Sequence, residues 1–174
     1  MRIIGLAGWS GAGKTTLIVK LIPGILARGL KVSTLKHAHH GFDVDRPGKD
    51  SYEHRMAGAT EVLVASQKRF ALMHELRDEP EPHLPDLLAR LAPVDLVIIE
   101  GYKREPHPKL EVFRAIVGKP LIHPEDPHVV AIASDVPLPG ATVPRVALDD
   151  TAAIIDILLA RAAPLAALMP AGSP

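Results

Sequence analysis

Short apolar runs alternate with longer amphipathic ones along most of this chain. RIIGLAG (2–8), KVSTLKH (31–37), EVLVAS (61–66), RFALMHE (69–75), DLVIIEG (95–101), KLEVFRA (109–115), VVAIAS (129–134) and RVAL (145–148) have the length and character of strands. Continuous apolar runs such as LVII require burial on both faces, the condition of a mostly parallel sheet covered by helices. Between them, residues 14–28 carry Leu17, Leu21 and Ile25 at a spacing of four, one face of a helix that Gly29 can end. Pro23 and Gly24 predict a kink within it. Asp50 and Glu53 open a helix over 50–57 with the spacing of a capping box. Two more helices fall at 83–92 and 151–162, the last capped by Thr151 and striped with Ile154, Ile155, Leu158 and Leu159.

This alternation predicts an α/β fold: a doubly wound, mostly parallel sheet flanked by helices. The adjacent runs at 61–66 and 69–75, joined by Gln67-Lys68, predict an antiparallel hairpin appended to that sheet. The expected organisation is one nucleotide-binding domain over 1–162, followed by a frayed Pro- and Ala-rich tail over 163–174 whose Leu and Met residues could dock on a partner.

Composition narrows the function by exclusion. A chain of 174 residues suits one buried core. Its 20 basic and 20 acidic residues cancel, so no nucleic-acid surface is expected and any bound anion must be met by a local site. The absence of cysteine removes disulfides, Cys-ligated zinc and thiolate catalysis, and makes the cytoplasm the default compartment. No apolar run reaches the ~18 residues of a membrane span. The N-terminal apolar run leads straight into a Gly-rich loop and a lysine, which fits a buried strand and not a secretion signal.

That loop carries the strongest chemical signal. Gly8-Trp9-Ser10-Gly11-Ala12-Gly13-Lys14-Thr15 fits G-x-x-x-x-G-K-[ST] between a predicted strand and a predicted helix. Such glycines let successive backbone N–H groups converge on a β-phosphate while the helix directs its positive end at the same anion. Lys14 is expected to reach the β- and γ-phosphates, and the Thr15 hydroxyl to coordinate Mg²⁺. Trp9 either packs over the loop as a lid or touches a base. Glu100, after four apolar residues of DLVIIE, stands where an acid would hold Mg²⁺ directly or through water. Asp135, just beyond VVAIAS, could accept from guanine N1–H and N2–H₂ and so select GTP over ATP; an Asp there before Pro137 is equally suited to forming a turn.

HAHHGFDVDRPGKDS, from His37 to Ser51, follows the second strand and so emerges at the carboxyl edge of the sheet, where open α/β folds bind ligands. His37, His39 and His40 suggest a transition metal, although alternation in an extended chain points His40 away from the other two. Asp43 and Asp45 could face one side and reach a phosphate-bound Mg²⁺. Lys36, Arg46 and Lys49 suit a second polyanion, and a solvated connection without a role is the plain alternative.

The blocks GWSGAGKTT, KHAHHGFDVDRPGKDSYEHRMAGA, VASQKRFALM, DLVIIEGYK and HVVAIASDVPL, in order from about residue 2 to about 148, resemble the molybdopterin-guanine dinucleotide biosynthesis protein B (MobB) family. The resemblance implies a GTP- and Mg²⁺-binding homodimer with weak GTP hydrolysis. It would assist a separate guanylyltransferase that attaches GMP to molybdopterin, or to another intermediate of the molybdenum cofactor. It assigns Gly8, Gly11, Gly13, Lys14, Thr15 and Thr16 to the phosphate loop, Glu100 to the acidic strand end, and Ser134 and Asp135 to the surroundings of the guanine. It leaves His37, His39, Asp43, Asp45 and Asp50 without a settled role. The Pro- and Glu-rich segment from Glu75 to Leu84 departs from the family pattern, as do Pro106 and Pro108. Two other readings of the residues remain: a P-loop small-molecule kinase, for which the arginines look too scattered to form a lid, and a nickel-type metallochaperone GTPase using HAHH.

Overall fold

The protein is described by a computed structural model over residues 1–38 and 41–168. In chain order the elements are β1 (Arg2–Ala7), α1 (Lys14–Leu26), β2 (Val32–Lys36), α2 (Asp50–Met56), β3 (Glu61–Ala65), β4 (Phe70–His74) and α3 (Leu84–Ala89). They continue with β5 (Leu96–Glu100), β6 (Lys109–Phe113), β7 (Val129–Ser134), β8 (Arg145–Ala147), α4 (Thr151–Arg161) and β9 (Ala163–Pro164). Two compact units result, one of Met1–His37 with the chain from Leu84 onward, the other Ala38–His83.

The first unit holds a seven-stranded sheet among the described residues, ordered β2-β5-β1-β6-β7-β8, with β9 beside β1. Every neighbouring pair along that order is parallel; β9 alone runs antiparallel. In register, Leu6 lies opposite Glu100, Lys36 opposite Glu100, and Ala7 opposite Glu111. The carboxyl ends of β2, β5, β1 and β6 therefore finish at one edge. β1 sits where the strand order reverses, the place at which open α/β sheets present a ligand crevice.

Period-two alternation divides each strand between two apolar layers. Ile4, Leu6, Ile98, Leu110, Val112, Ala131 and Ala133 pack with Leu17, Leu21 and Ile25 of α1 and Ile154, Ile155 and Leu158 of α4. Ile3, Val97 and Ile99 on the other face meet Leu84 and Leu88 of α3. Most of these side chains are fully buried, and each Val, Leu or Ile among them stabilises the fold by about 1.5–3 kcal/mol relative to exposure. The doubly wound arrangement follows directly from strands that are apolar on both sides.

Local details correct four sequence expectations. The N-cap of α4 is Asp150, whose carboxylate accepts the Ala153 N–H at 2.9 Å, and Thr151 is the first helical residue. The capping box at Asp50 does not form: Lys49 is the N-cap of α2, with no side-chain cap. The helix expected over 83–92 is regular only to Ala89, and Arg90 and Leu91 close it with tighter bonds to Leu87 and Leu88 before Pro93. The chain does not leave the fold at residue 163. β6 starts opposite Gly5, so the flank of β1 at Arg2 and Ile3 is open to β9, and Leu165 and Leu168 then pack on the α3 layer. Residues 169–174 of the expected tail lie outside the described residues. α1 continues through Pro23 to Leu26.

In the second unit, β3 and β4 form their own two-stranded antiparallel sheet, with Leu63 opposite Leu72 and Ala65 opposite Phe70. Among the described residues, no helix is long and apolar enough to cross a membrane.

Candidate functional site

At the end of β1 the chain turns through Gly8, whose φ of 144° brings its α-carbon so near β6 that a Cβ would stand 2.6 Å from the Val112 carbonyl oxygen. The loop closes on the Ala12 N–H to Trp9 O bond (3.1 Å), and Gly13, left-handed at φ 88°, is the N-cap of α1. No side chain caps this helix and no acidic residue occupies its first turn, so its N–H groups keep their positive end for an anion. Lys14 lies over the loop, donating from Nζ to Gly8 O at 2.9 Å and Trp9 O at 3.2 Å. Burial pushes its pKa down, Glu100 opposes this, and Lys103 and Lys36 add to the lowering. Its charge is thus weakly solvated and surrounded by further cations, a field that favours a polyanion.

Glu100 ends β5 next to this loop. Its Oε1 and Oε2 each lie 3.2 Å from Thr15 Oγ1, and Lys36 Nζ approaches Oε1 at 3.7 Å. A hydroxyl and a carboxylate presented together are the hard oxygen donors that Mg²⁺ prefers, and they fit it better than a soft transition metal.

On the other flank of β1, Trp9 donates its indole N–H to Pro120 O at 2.8 Å, with the Lys103 ammonium 5.2 Å above the ring. The indole thus packs against the segment that follows β6. Glu111, buried in β6, holds the same segment by accepting the N–H groups of Ile122 (2.7 Å) and His123 (2.8 Å).

Asp135 follows β7 and accepts the Ala115 N–H through Oδ1 at 3.0 Å. Ser134 is buried, donating to Val136 O (2.8 Å) and accepting from Val136 N–H (3.1 Å), which fixes the turn that sets Asp135. Both line a cavity of about 510 Å³ with Pro137, Leu138 and the β8 residues Arg145–Ala147. Its size and apolar walls, with one carboxylate at the rim, suit a planar heterocycle.

The histidine-aspartate segment divides. His37, in the first unit, donates its N–H to Glu100 O at 2.8 Å and sets its ring 4.8 Å from that of Tyr102. His39 and His40 lie outside the described residues. Asp43 and Asp45, in the second unit, both bind Arg55: Asp43 at 2.9 Å, Asp45 at 3.4 Å. Arg55 also meets Glu75 at 2.6 Å. The Asp45 backbone N–H first, and Arg55 next, hold the Asp43 carboxyl below its usual range. Asp50 begins α2. Among the described residues no group of three His, Asp or Glu side chains could hold a metal ion.

Sequence reasoning passed over Arg114. It directly follows β6 and donates from Nε to Ala12 O at 3.1 Å, its guanidinium against Gly13. The available signal was a basic residue ending the strand that the topology pairs with β1. Also unforeseen is a buried polar set at the start of β6, where Lys109 Nζ donates to Glu105 O (2.7 Å) and pairs with Asp126 (3.0 Å). Beside it His107 is fully buried, with no hydrogen-bond partner at either ring nitrogen.

A mostly parallel sheet with helices on both faces, a Gly-rich loop between β1 and α1, and an acid ending the neighbouring strand make this a doubly wound α/β protein. The chain belongs to the family described as molybdopterin guanine dinucleotide synthesis protein B, MobB, whose sequence profile matches residues 3–135. It is 50% identical over 142 residues to the molybdopterin-guanine dinucleotide biosynthesis adapter protein of Escherichia coli (strain K12), covering 78% of this chain and 79% of that one. The protein of the same description from Haemophilus influenzae is 44% identical over 140 residues, covering 78% of this chain and 76% of that one. Among solved structures, the MobB protein homolog from Bacillus stearothermophilus superposes with a TM-score of 0.67 at 27% identity, covering 92% of this chain and 97% of that one.

Proposed function

We propose that this protein is a GTP-binding adapter in the biosynthesis of molybdopterin guanine dinucleotide. It would hold Mg²⁺ and GTP for a separate guanylyltransferase that joins GMP to molybdopterin. The observation that carries the reading is the joint presentation of Lys14, the Thr15 hydroxyl and the Glu100 carboxylate at the mouth of the Gly8–Thr15 loop. The family relationship supports the pathway, since the relatives bear the description of adapter proteins in that synthesis. Backbone N–H groups and Lys14 would bind the phosphates, Thr15 Oγ1 and Glu100 the metal ion, and Asp135 the guanine edge. When bound, Mg²⁺ supplies charge neutralisation across the β- and γ-phosphates.

Hydrolysis by this site is slow in this reading. Glu100 is committed to Thr15 and Lys36, which leaves its carboxylate to hold the metal ion and not to activate water. The exposed apolar face of the hairpin, with Leu63, Phe70 and Leu72, favours association of two copies of the chain.

The test is reconstitution of dinucleotide synthesis from molybdopterin and limiting GTP with a guanylyltransferase of that pathway. Addition of this protein is expected to raise the yield several-fold, and Lys14→Ala to abolish the increase. No stimulation by the unaltered protein contradicts the adapter role.

A further inference from the structure

We propose that Arg114 grips the α- and β-phosphates of the bound nucleotide, as a cation distinct from Lys14 and placed on the base side of the loop. The inference rests on the nucleotide reading above. Strand order supplies the geometry. Glu100 and Lys36 end β5 and β2 on one side of β1, whereas Arg114 follows β6 on the other, and Asp135 follows β7 one strand further. A nucleotide with its metal-bound terminal phosphate at Glu100 and its base in the Asp135 cavity must run across the end of β6. There it meets Arg114, and what passes it is the inner diphosphate.

Two contacts hold the side chain and its surroundings. Nε donates to Ala12 O, and Nε and Nη2 lie 3.1 and 3.5 Å from the place a Gly13 Cβ would occupy. The next residue, Ala115, gives its N–H to Asp135, so the loop backbone, the guanidinium and the rim of the base cavity are linked through consecutive residues. Among the described residues Arg114 pairs with no carboxylate and its Nη groups donate no hydrogen bond, leaving the planar fork for an anion. A Cβ at position 13 would press on the guanidinium at 3.1 Å, so the glycine leaves room for Arg114 in addition to supplying its left-handed backbone.

A purely structural role, tying down Ala12, is the competing account, and Arg114→Gln separates the two. The glutamine amide can still donate to Ala12 O but carries no charge. Quenching of Trp9 fluorescence, from the sole tryptophan, reports binding of GTP, GDP and guanosine to the full chain at low and high salt. The expected result is a loss of about 10-fold in affinity for GTP and GDP alike, smaller at high salt, with guanosine unaffected and Arg114→Lys in between. Thermal melting of each variant checks folding. Unchanged GTP and GDP affinities in Arg114→Gln, a loss confined to GTP, or an equal loss for guanosine each overturns the proposal. Failure of the unaltered protein to bind any guanine nucleotide removes the underlying reading instead, and this inference with it.

Discussion

The Thr15 hydroxyl stands 3.2 Å from each oxygen of the Glu100 carboxylate, across the parallel pair β1 and β5. Adjacent ligands of an octahedral Mg²⁺ at about 2.1 Å lie roughly 3 Å apart, so the two groups already have the spacing of neighbouring ligands. Glu100→Gln or Thr15→Val is expected to reduce the gain in GTP affinity produced by Mg²⁺ by about 10-fold. Binding in the presence of a chelator should persist, and Glu100→Gln should strengthen it slightly by removing a negative charge near the phosphates. Calorimetric titration with and without Mg²⁺ measures both. An undiminished Mg²⁺ effect in either variant counts against the assigned ligands.

The proposed contact of Asp135 with the guanine edge predicts a switch of base preference. In Asp135→Asn the side-chain oxygen can still accept the Ala115 N–H, while the amide N–H₂ replaces an acceptor with a donor. Guanine loses a partner for its N2–H₂, and xanthine, which carries a carbonyl there, gains one. Preference should move from GTP to xanthosine triphosphate by at least ~10-fold, with phosphate affinity retained. Competition between the two nucleotides reads this directly, and an unaltered ranking would place the base elsewhere.

His107 sets an acid limit on stability. It is buried without a hydrogen-bond partner, and burial, with Lys109 nearby, lowers its pKa from 6.5 to about 4. The unfolded chain therefore takes up a proton below pH 6.5 that the folded chain refuses until about pH 4. Stability is full above the first value and falls between the two, by at most about 3 kcal/mol. His107→Leu removes the titrating group, so its melting temperature should change less than that of the unaltered protein over this range. His74 works in the opposite direction: Glu61 and then Glu79 raise its pKa, so its contribution is present below the ordinary histidine value and is lost as pH rises through the raised one. Parallel loss of stability on acidification in both proteins would show that other groups dominate.

Much of this architecture could be read from residue order, and the omissions share a physical cause. Strands such as LVII and the loop GWSGAGKT are local signals: burial on two faces and a phosphate-loop spacing are properties of consecutive residues. The acid at Glu100 was legible because a strand end after four apolar residues has one probable neighbour in an α/β sheet. Arg114 was not, since its meaning depends on β6 lying next to β1, a pairing that joins residues more than 100 positions apart. Lys109 and His107 looked like surface polar residues for the same reason, and only the packed sheet makes them interior. At Asp150 and Thr151 two adjacent residues could each cap a helix, and pattern alone did not choose between them. The hairpin was legible as a pairing, but whether it would extend the parallel sheet or stand apart was a question of long-range packing.

Everything proposed for this protein depends on a triphosphate held by the loop and Lys14. The most direct measurement is a calorimetric titration of Mg²⁺ and GTP into the full chain and into Lys14→Ala, with ATP as the control ligand. Saturable binding that favours GTP, weakened by about 100-fold in the alanine variant, is the predicted result. Equal affinity in the two proteins, or no heat of binding in either, contradicts it.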